Sequence, residues 1–201
     1  SSGPSGGITQ YAGAGKSICV SISPQTDIPI DSNVGGHFGP FLKFSGFDAL
    51  ELQGKTDRDV IIYIDGVNHK IQILEAPLEP IDSHTLTETL HEMYSDDEKD
   101  KKNVAVVSSG EAADHSLIGM LNFSFYDPKR KKVRLKQAGR GGIGTIFRDK
   151  GLKALVCKVP GIKGNLNNVV DLDAIMERGK RFNREMRELD DQQAEMRTKG
   201  T

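Results

Sequence analysis

The chain has 201 residues, with 36% apolar and 27% charged side chains and a formal net charge of −1, which is length enough for one core with a small appendage. No apolar run nears the ~20 residues that cross a bilayer, and the first residues form neither a basic nor an apolar leader, so the expectation is a cytoplasmic globular protein with no membrane span. The charge is divided: residues 1–100 hold 6 Lys+Arg against 16 Asp+Glu, and residues 101–201 hold 21 against 12, so an anion is the expected partner of the second half.

Short strands dominate the reading. Residues 17–23 alternate apolar with small polar side chains, 49–52 form a short apolar piece, and 59–65 are dense in β-branched residues. The Asp65-Gly66 turn leads into 69–74, which is a hairpin signature. Leu86, Leu90 and Met93 lie at helical spacing behind Ser83 and predict a helix over about 84–95, ending in the charged run Asp96 to Lys102. Further strands are expected at 104–107, 118–125, 132–135 and 152–156, the second and third joined across Tyr126 to Arg130. The fold class is therefore α+β and strand-rich. Pro160 to Asn168 has the composition of a linker, and Asp171 can cap a helix whose apolar stripe runs through Leu172, Ile175, Met176, Gly179, Phe182, Met186 and Leu189. This divides the chain into a domain over 1–163 and, over 164–201, a linker with the first helix of a second, α-helical domain. The absence of an initial Met and the abrupt Thr198-Lys-Gly-Thr201 ending suggest a fragment of a larger protein.

Cys19 and Cys157 each sit in an apolar run with no CxxC spacing and are read as reduced core residues. Ten basic residues and one acid, Asp149, lie between Lys129 and Lys153. Lys129 to Lys132 suit a solvated hairpin tip, whereas Lys136 and Arg140 flank glycines and are better placed for an anion. Phe147 is the only aromatic in that stretch, which leaves no stacking platform for nucleic acid.

Two glycine-rich segments carry the functional signal: Asp31-Ser-Asn-Val-Gly-Gly-His-Phe-Gly39 and Gln137-Ala-Gly-Arg-Gly-Gly-Ile-Gly144. Glycine main chain can approach a bulky ligand and turn bare N–H groups toward phosphates. Gly139 to Gly144 satisfies G-x-G-x-x-G, but the sequence offers neither a following helix nor an acidic residue about 20 positions on, so a Rossmann site is set aside. Gly13-Ala-Gly-Lys-Ser17 lacks the earlier glycine of a P-loop and leads into a strand.

Residues 31–49, then Gln53-Gly-Lys55, then Ala138-Gly-Arg-Gly-Gly-Ile-Gly-Thr-Ile-Phe-Arg-Asp-Lys-Gly-Leu-Lys-Ala154 resemble the N-terminal domain of the tungsten-containing aldehyde ferredoxin oxidoreductases. Ser2-Gly-Pro4 and Ser21-Ile-Ser-Pro24 fit as well, Lys199-Gly-Thr201 resembles a stretch early in the family's second domain, and the chain enters the N-terminal domain without its opening strands. The resemblance implies a domain of two intertwined sheet repeats. It implies a tungsten bis-pyranopterin cofactor that takes no protein ligand to tungsten. It also implies a magnesium ion joining the pterin phosphates, completed here by the main-chain carbonyls of Asn33 and Gln137. By position the cofactor-binding residues are Lys16, Asn33, Val34, Gly35, Gly36, Phe38, Gly39, Lys136, Gln137, Ala138, Gly139, Arg140, Gly141 and Gly142. Lys16 and Lys136 stand where the family favours arginine, a point charge in place of a bidentate fork. Ser108 to Asp114 is a poor copy of the family's G-P-A-G-E turn, and Tyr126 to Leu135 looks inserted. His37 stands where the family often has tyrosine and is read as a packing residue. Asp31, Ser32, Asp48 and Lys43 are read as turn and surface residues. The family's 4Fe–4S cluster is expected only from the missing domains, as are the substrate pocket and contacts with ferredoxin or another electron-transfer subunit. The implied activity is oxidation of an aldehyde to a carboxylic acid or a related low-potential reduction. The alternative is a cofactor-free scaffold or assembly protein that keeps the fold.

Overall fold

The computed structural model describes residues 1–8, 14–77, 79, 82–161, 167, 169–189, 195 and 199–200. The strands are β1 (Ser17–Ile22), β2 (Pro29–Val34), β3 (Val60–Asp65), β4 (Lys70–Glu75), β5 (Val104–Ser108), β6 (Leu121–Asp127), β7 (Lys132–Ala138) and β8 (Leu152–Lys158). The helices are α1 (Phe38–Phe44), α2 (Ser83–Tyr94), α3 (Ile143–Asp149) and α4 (Leu172–Glu188). Six strands form one sheet in the order β4-β3-β8-β5-β6-β7, and β1 and β2 form a separate antiparallel ribbon. The α+β class thus holds. The division of strands is six and two, in place of the two matched repeats expected.

β3 and β8 are parallel and every other neighbouring pair is antiparallel. The apolar runs in β3, β5 and β8 lie at the centre, covered on both faces, which is why they read as continuous apolar stretches rather than alternating ones. One face packs Ile61, Val104, Val106 and Val156 against Leu86 and Leu90 of α2. The other packs Ile62, Ile64, Val107, Phe123 and Leu155 against α1, α3 and residues of the ribbon. A fully buried side chain such as Phe41 or Leu90 contributes about 2 kcal/mol from removal of apolar surface.

Several local expectations change. α2 starts one residue early, because Asp82 caps it by accepting from the N–H groups of His84 and Thr85 at 3.0 and 2.9 Å. Leu86 and Leu90 are buried as expected, but Met93 is 59% exposed and His91 takes the inner face instead. Residues 118–120 lie outside β6, since Gly119 is tied to α3 through Gly144 N–H (2.9 Å) and Thr145 Oγ1 (3.0 Å). The segment 49–52 is not a strand. β2, α1 and α3, all within or beside the glycine motifs, are elements that the sequence patterns do not announce. α4 is capped by Asp171 as expected, Oδ1 accepting from Ala174 N–H at 2.9 Å. The boundary at 163/164 and most of the proposed linker lie outside the described residues.

The ribbon has an inverted pattern. In β1 the bulky Ile18, Val20 and Ile22 point outward and are 41%, 68% and 51% exposed, while Ser17, Cys19 and Ser21 face the large sheet. Cys157 is core as expected; Cys19 is only half-buried.

Candidate functional site

The two glycine segments, a hundred positions apart in sequence, lie side by side. β2 leads into the first and β7 into the second. The Arg140 N–H donates to Ser32 Oγ at 3.4 Å, and Gly35 faces the Lys136 side chain, whose Cγ lies 3.5 Å from where a Cβ on Gly35 would stand. Ser32, read from sequence as a turn residue, is instead a buried strand residue that ties the loops together. Nothing in its local pattern announced this, because its partner is 108 residues away.

The main-chain arithmetic of the two strands is informative. Ile18 N–H donates to Ser1 O, on the side of β1 away from β2, and Ser23 N–H donates to Ile28 O across the ribbon turn. Alternation then makes Ile18 and Asn33 a non-hydrogen-bonded pair, so the Asn33 carbonyl points away from β1. Likewise Ser124 O accepts from His37 N–H, away from β7, and Gln137 pairs with Asn122 two positions along β6. The Gln137 carbonyl therefore points to the free edge of β7. Both carbonyls expected to meet magnesium are left unspent by their own ladders. The Asn33 side chain is engaged separately, Nδ2 donating to Asp31 Oδ2 at 3.3 Å.

The glycines differ in what holds them. Gly36, Gly141 and Gly142 pack against the protein itself: a Cβ on each would meet Phe123 and Ser124, Ile30, and Pro24 with the Leu117 carbonyl. Gly39 is pressed on Ser17. Gly139 is unlike them. It is exposed, its φ is not positive, and a Cβ there would meet nothing within 4 Å, so neither conformation nor internal packing accounts for the absence of a side chain. A ligand brought close to the main chain does account for it.

Cations stand in or next to the two segments. Lys16 is exposed and, one position before the Ser17–Val34 pair, lies across from Gly35 by register. Lys136 and Arg134 project over the Phe125 ring at 5.9 and 5.8 Å from its centroid. Arg134 also reaches Asp127 at 3.6 Å. Among the described residues no carboxylate pairs with Lys16, Lys136 or Arg140, so their charge is available to an anion. Lys43 and Asp48 pair on the surface as expected.

Val34, Phe38 and Ala138 have side chains in the core and can offer a ligand at the paired glycine segments only main chain. His37 packs between Phe41 and Phe125 at centroid distances of 5.4 and 5.8 Å, and its Nδ1 is buried without a hydrogen-bond partner. Burial pushes its pKa down, favouring the neutral ring. That agrees with a packing role. α3 does follow the second loop, contrary to the sequence reading, but three successive antiparallel pairings set β7 antiparallel to β8, so the segment is no Rossmann crossover.

The second loop is braced from behind. Arg148, with its side chain 7% exposed, donates through Nε and Nη2 to Asp114 at 3.1 and 3.0 Å and through Nη2 to Asp59 at 3.2 Å. This fixes α3 to the segment before β6 and to the start of β3. Asp114 ends the segment Ser108 to Asp114, so this segment is held to α3 by the brace.

Residues 1–159 match the family described as aldehyde ferredoxin oxidoreductase, N-terminal domain. Tungsten-containing aldehyde ferredoxin oxidoreductases of Pyrococcus horikoshii and Pyrococcus abyssi are each 31% identical over 158 residues, covering 78% of this chain and 23% of theirs. The WOR-like subunit of an aliphatic sulfonate oxidoreductase from Pyrococcus furiosus is 27% identical over 164 residues. Among solved structures, the active site complex BamBC of benzoyl coenzyme A reductase, in complex with 1,5-dienoyl-CoA, superposes with a TM-score of 0.61 at 27% identity, over 76% of this chain and 21% of that one. The chain thus spans under a quarter of the length of the relatives it matches. No helix among the described residues is long and apolar enough to cross a membrane. Taken with the paired glycine loops, the match over 1–159 makes this chain a member of the aldehyde ferredoxin oxidoreductase N-terminal domain family.

Proposed function

We propose that this chain is the cofactor-binding part of a tungsten bis-pyranopterin oxidoreductase. The observation that carries the reading is the open Gly139 beside three unpaired cations, set against the neighbouring loop of Gly35. The residues present fit the group: exposed main chain for the flat pterins, cations for the phosphates, and two unspent carbonyls for a hard divalent ion such as magnesium. When bound, the cofactor supplies reversible electron acceptance at tungsten. This chain's own share is to hold it. Asn33 and Gln137 present carbonyl oxygen to magnesium, Lys16, Lys136 and Arg140 balance phosphate charge, and Gly35 and Gly139 let the main chain approach. Val34, Gly36, Phe38, Gly39, Ala138, Gly141 and Gly142 set the loop shapes from the core side.

The reaction implied for the whole enzyme is aldehyde oxidation to a carboxylic acid or a related low-potential reduction. Its 4Fe–4S cluster, substrate pocket and ferredoxin contact would belong to polypeptide beyond this chain, in keeping with the greater length of the relatives. The test is elemental analysis of anaerobically purified protein. Tungsten and magnesium in stoichiometric amounts, both lost in Gly139→Val with the fold intact, are expected. Absence of both metals from the wild-type protein would favour a cofactor-free scaffold.

A further inference from the structure

A cavity of about 630 Å³ lies between the ribbon and the large sheet. Its wall takes Phe38 and Leu42 from α1, Phe123 and Leu155 from the sheet, and Ile143 and Phe147 from α3. Phe38 and Gly39 reach it from the core side of the first glycine segment, but none of Asn33, Gly35, Lys136, Gln137, Gly139 or Arg140 lines it, so it opens apart from the exposed main chain and cations of the anion site. Its volume is that of a small-molecule pocket.

The fourth wall is β1, and there the sequence is unusual. A strand laid over an apolar sheet ordinarily turns its large apolar residues inward, but β1 turns Ser17, Cys19 and Ser21 inward and Ile18, Val20 and Ile22 outward. Three small side chains at successive inward positions leave the space empty and bring two hydroxyls and a thiol to a mainly apolar chamber, with Ser1 adding a further hydroxyl. Ser17 is 4% exposed and its Oγ has no hydrogen-bond partner. An unpaired buried hydroxyl costs free energy that a bound acceptor would recover after a turn about χ1. The two charged side chains at the rim, Glu51 and Lys150, are of opposite sign and hold neutral partners, Gln53 and the Gly54 carbonyl, so the lining side chains give the mouth no net charge to favour a charged ligand.

Independently of the reading given above, we propose that this chamber binds a neutral small molecule with an apolar body and one hydroxyl or carbonyl group, the body lying against Phe38, Phe123 and Phe147 and the polar atom meeting the serine face of β1. Cys19 provides a reporter, because it lines the chamber and is half-buried while Cys157 is fully buried.

The experiment uses the 201-residue chain, with 1-octanol as the neutral probe and octanoate as its charged counterpart, following alkylation of Cys19 by N-ethylmaleimide with mass spectrometry. Saturating 1-octanol should slow labelling of Cys19 by about tenfold, with octanoate much less effective, and Ser17→Ala should weaken the octanol effect about fivefold, as loss of one hydrogen bond does. Ser21→Leu, which fills the chamber from the ribbon side, should abolish protection while retaining a cooperative thermal transition. No slowing by 1-octanol in the folded wild-type chain overturns the proposal, and so does equal protection in Ser21→Leu. Neither readout involves tungsten or magnesium, so its failure is separable from failure of the cofactor reading.

Discussion

Arg140 N–H donates to the hydroxyl of Ser32 at 3.4 Å, joining the second glycine loop to the strand that enters the first. Removing this link should loosen the relative placement of the two loops more than it harms the core. Ser32→Ala is expected to cost about 1 kcal/mol in urea unfolding and to lower magnesium and tungsten retention severalfold. Unchanged metal content with the expected stability loss would show that the link is not needed for binding.

Gly139 and Gly142 should separate ligand contact from internal packing. Gly139→Ala meets no neighbour, so its stability should stay within about 1 kcal/mol of wild type. Gly142→Ala places a Cβ 2.2 Å from the Leu117 carbonyl at a residue with φ of +64°, and a loss of more than about 2 kcal/mol is expected. Equilibrium denaturation of the two variants decides the contrast.

Arg148 closes a three-way link between α3, Asp114 and Asp59. Replacing it with methionine leaves two carboxylates facing each other, both about one-third exposed. The expected loss is about 2–3 kcal/mol, below the cost of stranding a fully buried charge because water can reach the aspartates. A double variant with Asp114→Asn should recover part of that loss in the same assay.

His91 makes stability depend on mild acid. Burial, chiefly, lowers its pKa from 6.5 to about 4, with the nearby Lys101 and His37 charges acting in the same direction and the Lys101 main chain opposing them. Its Nε2 shares a 2.8 Å hydrogen bond with Ser124 Oγ, which also accepts from Val106 N–H and keeps a proton that it can donate to the neutral ring. A histidine held neutral in the fold gives its full contribution above pH 6.5, and loses it as the pH falls toward 4, because the unfolded chain takes up the proton first. The pKa difference corresponds to about 3 kcal/mol. Denaturation midpoints measured from pH 7 to pH 4.5 should fall steeply in the wild type and markedly less in His91→Gln.

Sequence patterns located what depends on neighbours in the chain. The β3–β4 hairpin announced itself through Asp65-Gly66, and Asp65 Oδ1 does accept from the N–H groups of Val67 and Asn68, each at 3.0 Å. The buried strands β5 and β8 were visible as short apolar runs, and Asp171 as a helix cap. α1 and α3 were hidden because each is only seven residues long and opens among glycines, where propensity argues against a helix and tertiary packing of Phe41 and Phe147 decides for it. Met93 was misjudged because three positions cannot fix which side of α2 meets the sheet. At the candidate site, the glycines and cations were legible, but the difference between Gly139 and Gly142 was not. It depends on Pro24 and Leu117, which sequence spacing does not connect to either loop.

β8 enters the large sheet between β3 and β5, although it is the last of the eight strands to be synthesised. Until residues 152–158 arrive, the β3–β4 hairpin and the β5–β6–β7 meander have no shared ladder, and a ribosome-bound chain lacking them would hold two half-sheets with raw central edges. Closure of the sheet is therefore a late, long-range event. A cofactor that needs both glycine loops would meet a completed platform only after that event, and its loading would then fall at the end of folding.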